Sequence, residues 1–347
     1  MSNRDGRRQR NQRRAIVAVV LISALLGAAL VATIGSLNRD LYSASGFVRQ
    51  YLDALARKDT AGALLLPGVT PTKAQLDADA LPENLPETLL RDSVLGELTG
   101  IRLTGDDETK PGHHTVSYEF RLDGTPATMT FQVESAGTFF GVFDSWRFET
   151  SPLAVLQVTV LHEATFSVNR LTLDTRAHAA DDAPATFSNQ AAYLAFAPAV
   201  YAFGHTSPLL DAAPQSVPVA ASGATDVTID AQPNDQFLSQ VQTELDRFLD
   251  DCTTQQVLQP SNCPFGIEIN DRVRDDPIWS IAQYPAVTLA AGDTTFDMPD
   301  TPGQAHIVVK VQSLFDGDVV VRDEDVAFSV AISVTVNPDG SLALQLG

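Results

Sequence analysis

Twenty consecutive residues, Ala15–Ile34, carry no charge, and Ser23 and Thr33 are the only hydroxyl side chains among them. As a helix the run spans about 30 Å, the thickness of a bilayer's hydrocarbon core. A buried core helix would show a polar face, and this run has none. Residues 15–36 are therefore expected to form a transmembrane helix. Residues 1–14 hold six arginines and one aspartate. Basic residues beside a span stay cytoplasmic, so the amino terminus is expected inside and the carboxyl terminus extracytoplasmic. A cleaved signal peptide has an apolar region of about 7–15 residues and an A-x-A-like site. This run is longer, no such site follows it, and there is no lipobox cysteine. The expectation is an uncleaved signal-anchor and a single-pass protein of the cell membrane.

Of 23 basic and 43 acidic residues, six and one lie in the tail, which leaves −25 for the rest of the chain. Such a surface repels nucleic acid and anionic lipid headgroups, so no nucleic-acid partner is expected. Cys252 and Cys263, the only cysteines, lie in DDCTTQQVLQPSNCPFG. Zinc would need about four ligands, and neither a second Cys pair nor a suitably spaced His pair exists. A catalytic thiol would want a histidine, and the nearest, His205 and His306, are more than forty residues away. In the oxidising space outside a bacterial membrane the plain reading is a disulfide.

The exported part is long enough for two or three domains. Residues 41–150 open on a helix with the stripe Phe47, Val48, Tyr51, Leu52 and Leu55. Asp59 is placed to cap a second short helix through Ala63–Leu66. After a proline-bearing loop the period changes to two. Val116, Tyr118, Phe120 and Leu122 alternate with polar residues, Asp123-Gly124 signals a hairpin, and Met129, Phe131 and Val133 return. Trp146 and Phe148 belong to a closing strand. Residues 151–232 read as a small all-β domain, with LQVTV, FSVNRLTLD and QSVPVAA as short strands. Residues 233–347 again place a helix before strands. Phe237, Leu238, Val241, Leu245, Phe248 and Leu249 make its stripe, Cys252 continues it, and Asn234 or Asp235 caps it. Val326, Phe328, Val330, Ile332, Val334 and Val336 lie on one strand face, Asn337–Gly340 turns, and SLALQL returns. The two opening helices share a pattern at an offset of 190.

FVRQYLDALARKDTAGALLL and the closing DSWRFE resemble the nuclear-transport-factor-like α+β cone, the fold of ketosteroid isomerases, over about 110 residues. The central piece, through AFAPAVYAFGHTSP, is similar to a small immunoglobulin-like β repeat. The whole arrangement, a span followed by a cone, a β-sandwich-like repeat and a second helix-plus-antiparallel-sheet domain, is similar to the teicoplanin-resistance-associated (TcaA-like) membrane proteins of Gram-positive bacteria. The CPFG of DDCTTQQVLQPSNCPFG looks like that of their uncharacterised actinobacterial relatives. The resemblance implies a cell-envelope protein with no enzymatic mechanism attached. The chain departs from the family at its start, where an arginine tail stands in place of a Cys-rich zinc ribbon.

Chemical motifs are few. There is no G-x-S-x-G elbow and no Walker loop. HEATF, from His162, lacks the second histidine of a zincin. His113 and His114 are neighbours on a strand, point to opposite faces and do not chelate one ion together; one is expected half buried and the other wet. Asp316–Val326 concentrates acids but lacks the glycine and terminal glutamate of an EF-hand loop, and solvated strand-edge charge is the plainer reading. No catalytic residue, metal or cofactor is assigned. The expected function is non-enzymatic binding or scaffolding of a surface partner, an envelope protein or a wall component. The alternative is a cone pocket that binds or transforms a small apolar molecule, with His114, Tyr118 or Asp144 pointing inward.

Overall fold

Strand outweighs helix, 49% against 19%, and sheets set the architecture. A computed structural model describes residues 21–29, 32–33, 36, 42–78, 81–82, 84–139, 143–177, 186–337 and 341–347. Residues 21–29 are helical and exposed. Residues 15–20, 30–31 and 34–35 of the expected span and the whole arginine tail lie outside the described residues. Among the described residues no helix is long and apolar enough to cross a membrane.

The first unit is a helix laid on a sheet. Helix α1, Ala44–Ala56, starts where the Ser43 side chain accepts from the Gly46 N–H. All five stripe residues, Phe47, Val48, Tyr51, Leu52 and Leu55, are buried, each worth about 1.5–3 kcal/mol relative to exposure. Helix α2, Thr60–Leu64, begins slightly earlier than its sequence suggests, and Asp59 caps it through Gly62 N–H. Strands β1 (Leu98–Lys110), β2 (His113–Leu122), β3 (Thr125–Phe139) and β4 (Phe143–Phe148) pair in order as an antiparallel meander. Asp123 and Gly124 both take positive φ, 46° and 83°, as a two-residue hairpin requires.

The central residues form two sheets. Their strands are β5 (Ala154–Leu161), β6 (Thr165–Val168), β7 (Leu171–Asp174), β8 (Ser188–Ala195), β9 (Ala199–Thr206), β10 (Leu210–Val219), β11 (Gly223–Asp230) and β12 (Gln232–Pro233). One sheet runs β11-β5-β8 and the other β12-β10-β9-β6-β7. FSVNRLTLD is a hairpin of two strands, β6 (Thr165–Val168) and β7 (Leu171–Asp174), where the sequence suggested one. Asn169 and Arg170 turn it with φ of 45° and 73°. Strands β5 (Ala154–Leu161) and β11 (Gly223–Asp230) pair in parallel. The first and central units share one continuous core. Polar bonds cross the seam: Tyr51 Oη donates to the Ala197 carbonyl at 2.9 Å, and Asn169 Nδ2 donates to the Val94 carbonyl.

The last unit is built on a second core, which also takes in Leu209, Leu210 and Ala231 of the central unit. Helix α3, Lys73–Ala78, precedes it in the chain, and helix α4, Asp235–Thr253, opens it. Asn234 Oδ1 accepts from Phe237 N–H at 3.1 Å, and Phe237, Val241, Leu245, Leu249 and Cys252 are buried. The long strands β16 (Phe296–Gln312) and β17 (Val319–Val336) form a hairpin. On β16 lie β13 (Arg272–Val273), β14 (Ile278–Gln283) and β15 (Ala290–Ala291); on β17 lies β18 (Leu342–Leu346). Phe328, Val330, Ile332 and Val334 are buried, with Val326 and Val336 at the two ends partly so. Most of the expected turn, residues 338–340, lies outside the described residues. The sheet order differs from the meander of the first unit, so the shared helix pattern extends to a helix on an antiparallel sheet and no further.

Candidate functional site

Of the three pocket candidates only Tyr118 is buried on the inward face of the first sheet; His114 is partly exposed. Helix α1 covers that face, and its Tyr51 ring packs against Phe131 and Phe148 at 6.2 and 5.4 Å. Tyr118 is buried and its hydroxyl donates to the Ser45 carbonyl at 2.9 Å. His114 Nδ1 lies 2.7 Å from Asp106, and its ring meets Trp146 edge-on at 5.0 Å. Trp146 Nε1 donates to the Tyr42 carbonyl at 2.8 Å. Asp144 is exposed. Tyr118 bonds to α1 and His114 to β1, and none of the described bonds joins one candidate to another.

Burial pushes the Tyr118 hydroxyl up to about 12; Arg49 opposes the shift and Asp106 and Asp53 add to it. Tyr193 is raised to about 12, again chiefly by burial. Burial also raises Tyr51 and Tyr201. The folded values exceed the unfolded value of 10.0. The stability that Tyr118 and Tyr193 contribute is therefore complete below pH 10 and is lost as pH rises through about 12, while that of Tyr51 and Tyr201 persists to higher pH. An alkaline titration followed by tyrosinate absorbance and circular dichroism should show these tyrosines ionising together with unfolding. Their full ionisation by pH 10 in a folded chain would contradict the packing.

His113 and His114 do point to opposite faces, but both are partly exposed, with side chains at 23% and 21%. The strand lies close enough to the sheet's open end for water to reach each side. His113 Nδ1 is 3.0 Å from Glu149 and 3.8 Å from Glu134. Ligand atoms of these three residues lie within 4.8 Å of one another, a set open to a cation. Arg147 stands 2.6 Å from Glu134 and Lys110 3.9 Å from Glu149, so positive charge is already supplied there. The cluster joins β2, β3 and the bend just after β4, and no local spacing in the sequence announces it.

A cavity of about 880 Å³ lies between the central and last units. His162, Phe187 and Phe296 form one wall, and Gln236 and Gln240 of α4 line it too. His162 has φ of 67°, in the left-handed region. Its Nδ1–H donates to the Ala231 carbonyl at 3.0 Å and lies 3.0 Å from Asp230. The HEATF histidine is thus held by the seam between units. Its sequence gave no sign of that, because its partners lie more than sixty residues on.

Cys252 and Cys263 form the disulfide, with Cα atoms 5.9 Å apart. Just past the loop it closes, Phe265 packs into the core against Trp279 and Phe328, at 5.0 and 5.5 Å. Trp279 Nε1 donates to the Val257 carbonyl within that loop at 2.8 Å. The bridge therefore positions core residues. Asp316 and its neighbours are exposed, and a Ser313 hydroxyl bond holds the Asp316 carboxyl below its usual range. No protein-family model, curated protein or solved structure matches the chain.

Proposed function

We propose that this chain is a non-enzymatic, membrane-anchored protein of the cell envelope, whose extracytoplasmic units bind or scaffold surface partners. The observation that carries the reading is the filled face of the first sheet. Helix α1 occupies it, and the Tyr118 hydroxyl is taken by the Ser45 carbonyl. A small-molecule pocket there would need converging polar groups on an open apolar wall. The helix-on-sheet order is compatible with the nuclear-transport-factor-like cone, and the paired central sheets with a β-sandwich-like repeat. Together with the apolar run they support the TcaA-like arrangement. The units we assign are 1–14, 15–36, 41–150, 151–232 and 233–347.

The arginine tail and the apolar run predict the orientation. In a bacterial host, a reporter active only outside the membrane should work when fused after Gly347 and fail when fused after Arg14. The reverse pattern, or a mature chain that starts near residue 36, would overturn the signal-anchor.

A further inference from the structure

Strand β17 has two sides, and only one is fully paired. β16 covers it from Val319 to Val334. β18 covers only Ile332–Val336 on the other side. Gly347 N–H donates to the Ala331 carbonyl at 3.0 Å, so Ala331 faces the lane of β18. Residues alternate along a strand. Val319, Val321, Asp323, Asp325, Ala327 and Ser329 therefore turn their peptide N–H and C=O groups into the same lane. Among the described residues no strand pairs with them there. The register of β17 is unbroken over 319–330. The outer strand of the first sheet, β1, is different: three register shifts interrupt it, which blunts an edge against pairing.

The open lane is apolar at its start and acidic beyond. Val319, Val320 and Val321 are more than half exposed, and at the hairpin tip Phe315 is 98% exposed. Residues 316–325 hold five acids and one arginine. His306 lies between Asp323 and Asp325, at 3.2 and 2.8 Å, and Arg322 reaches Glu324 at 3.4 Å. Most of this charge is solvated. Two copies of β17 placed edge to edge and antiparallel would set acids against acids, which disfavours self-pairing. A strand of opposite charge meets no such barrier.

The geometry points to β17 residues 319–330 as a strand-addition site for an extended, basic segment of a partner protein, in line with β18. This rests on the contact reading and adds to it the place and the chemistry. Main-chain bonds would supply affinity, and the acids would select lysine- or arginine-bearing strands.

The test uses the full-length chain in detergent micelles and a synthetic peptide alternating lysine with valine and threonine. A glutamate counterpart serves as control. Hydrogen exchange should show the basic peptide protecting amides of Val321, Asp323 and Asp325, with no protection by the acidic one. Val321→Pro removes a donor from the open lane and leaves the β16 pairing alone. It should weaken peptide binding about tenfold, the worth of a lost strand bond and its alignment. Asp323→Lys with Asp325→Lys should do the same, and the melting temperature of both variants should stay near native. Equal protection by both peptides, or none by either, overturns the proposal. Protection that grows with protein concentration alone also overturns it, since a second copy would then fill the lane. If the peptide fails while photo-crosslinks to a partner form elsewhere on the exported surface, the site falls and the contact reading stands.

Discussion

Replacing Phe296 with alanine is expected to destabilise the last unit by about 3–5 kcal/mol, the usual cost of emptying a buried phenylalanine site. Phe296 is 1% exposed. Its ring stands 5.1 Å from Phe187 of the central unit, 5.3 Å from Phe237 at the start of α4 and 6.0 Å from His162. One side chain thus fills the last core and seals the seam between units. Denaturant unfolding followed by fluorescence checks the value. Phe315→Ala, at the exposed tip of the hairpin, should change stability by no more than about 0.5 kcal/mol. Similar values for the two variants would mean that the aromatic cluster does not hold the seam.

The second large effect is at the bridge. Opening Cys252–Cys263, by reduction or by Cys252→Ser, should cost about 3 kcal/mol in the chain-entropy model. The loss should fall on one unit, because Cys252 belongs to the last core and the other core contains no cysteine. Differential scanning calorimetry of the oxidised and reduced chain should therefore show one transition moving and the other staying. Thiol labelling of the native protein should find no free cysteine before reduction. A free thiol, or a shift of both transitions together, would contradict a local staple.

Periodic segments were legible because each buries one face against a neighbour. The stripes of α1 and α4 and the alternation from Val326 to Val336 pointed to the core, and caps at Asp59 and Asn234 followed from side-chain chemistry. What escaped was set by distant partners or by exposed backbone. Strand β1 is mostly polar and exposed, so it shows no alternation to read. Asn169-Arg170 turns a hairpin without glycine, and nothing in FSVNRLTLD marks the break. The parallel pairing of β5 and β11 joins residues about seventy positions apart. The His113–Glu134–Glu149 cluster and the seam cavity likewise exist only once strands are side by side. The three pocket candidates were chosen by residue type. Their roles turned on whether α1 would leave the sheet face open, and the same apolar pattern serves a filled face and a greasy pocket.

The units from residue 41 onward are proposed to work by contact and to use no chemical group of the first sheet. A photo-reactive residue at Leu65, 84% exposed, and another at Val321 would report contact in intact cells. The direct measurement is the yield of partner adducts for the native chain and for a variant carrying His114→Ala, Tyr118→Phe and Asp144→Asn, with folding confirmed by thermal melting. Adducts of the same size and yield are expected in both. A folded triple variant that forms none, beside a native chain that does, would put those polar groups to work inside the first unit and contradict it.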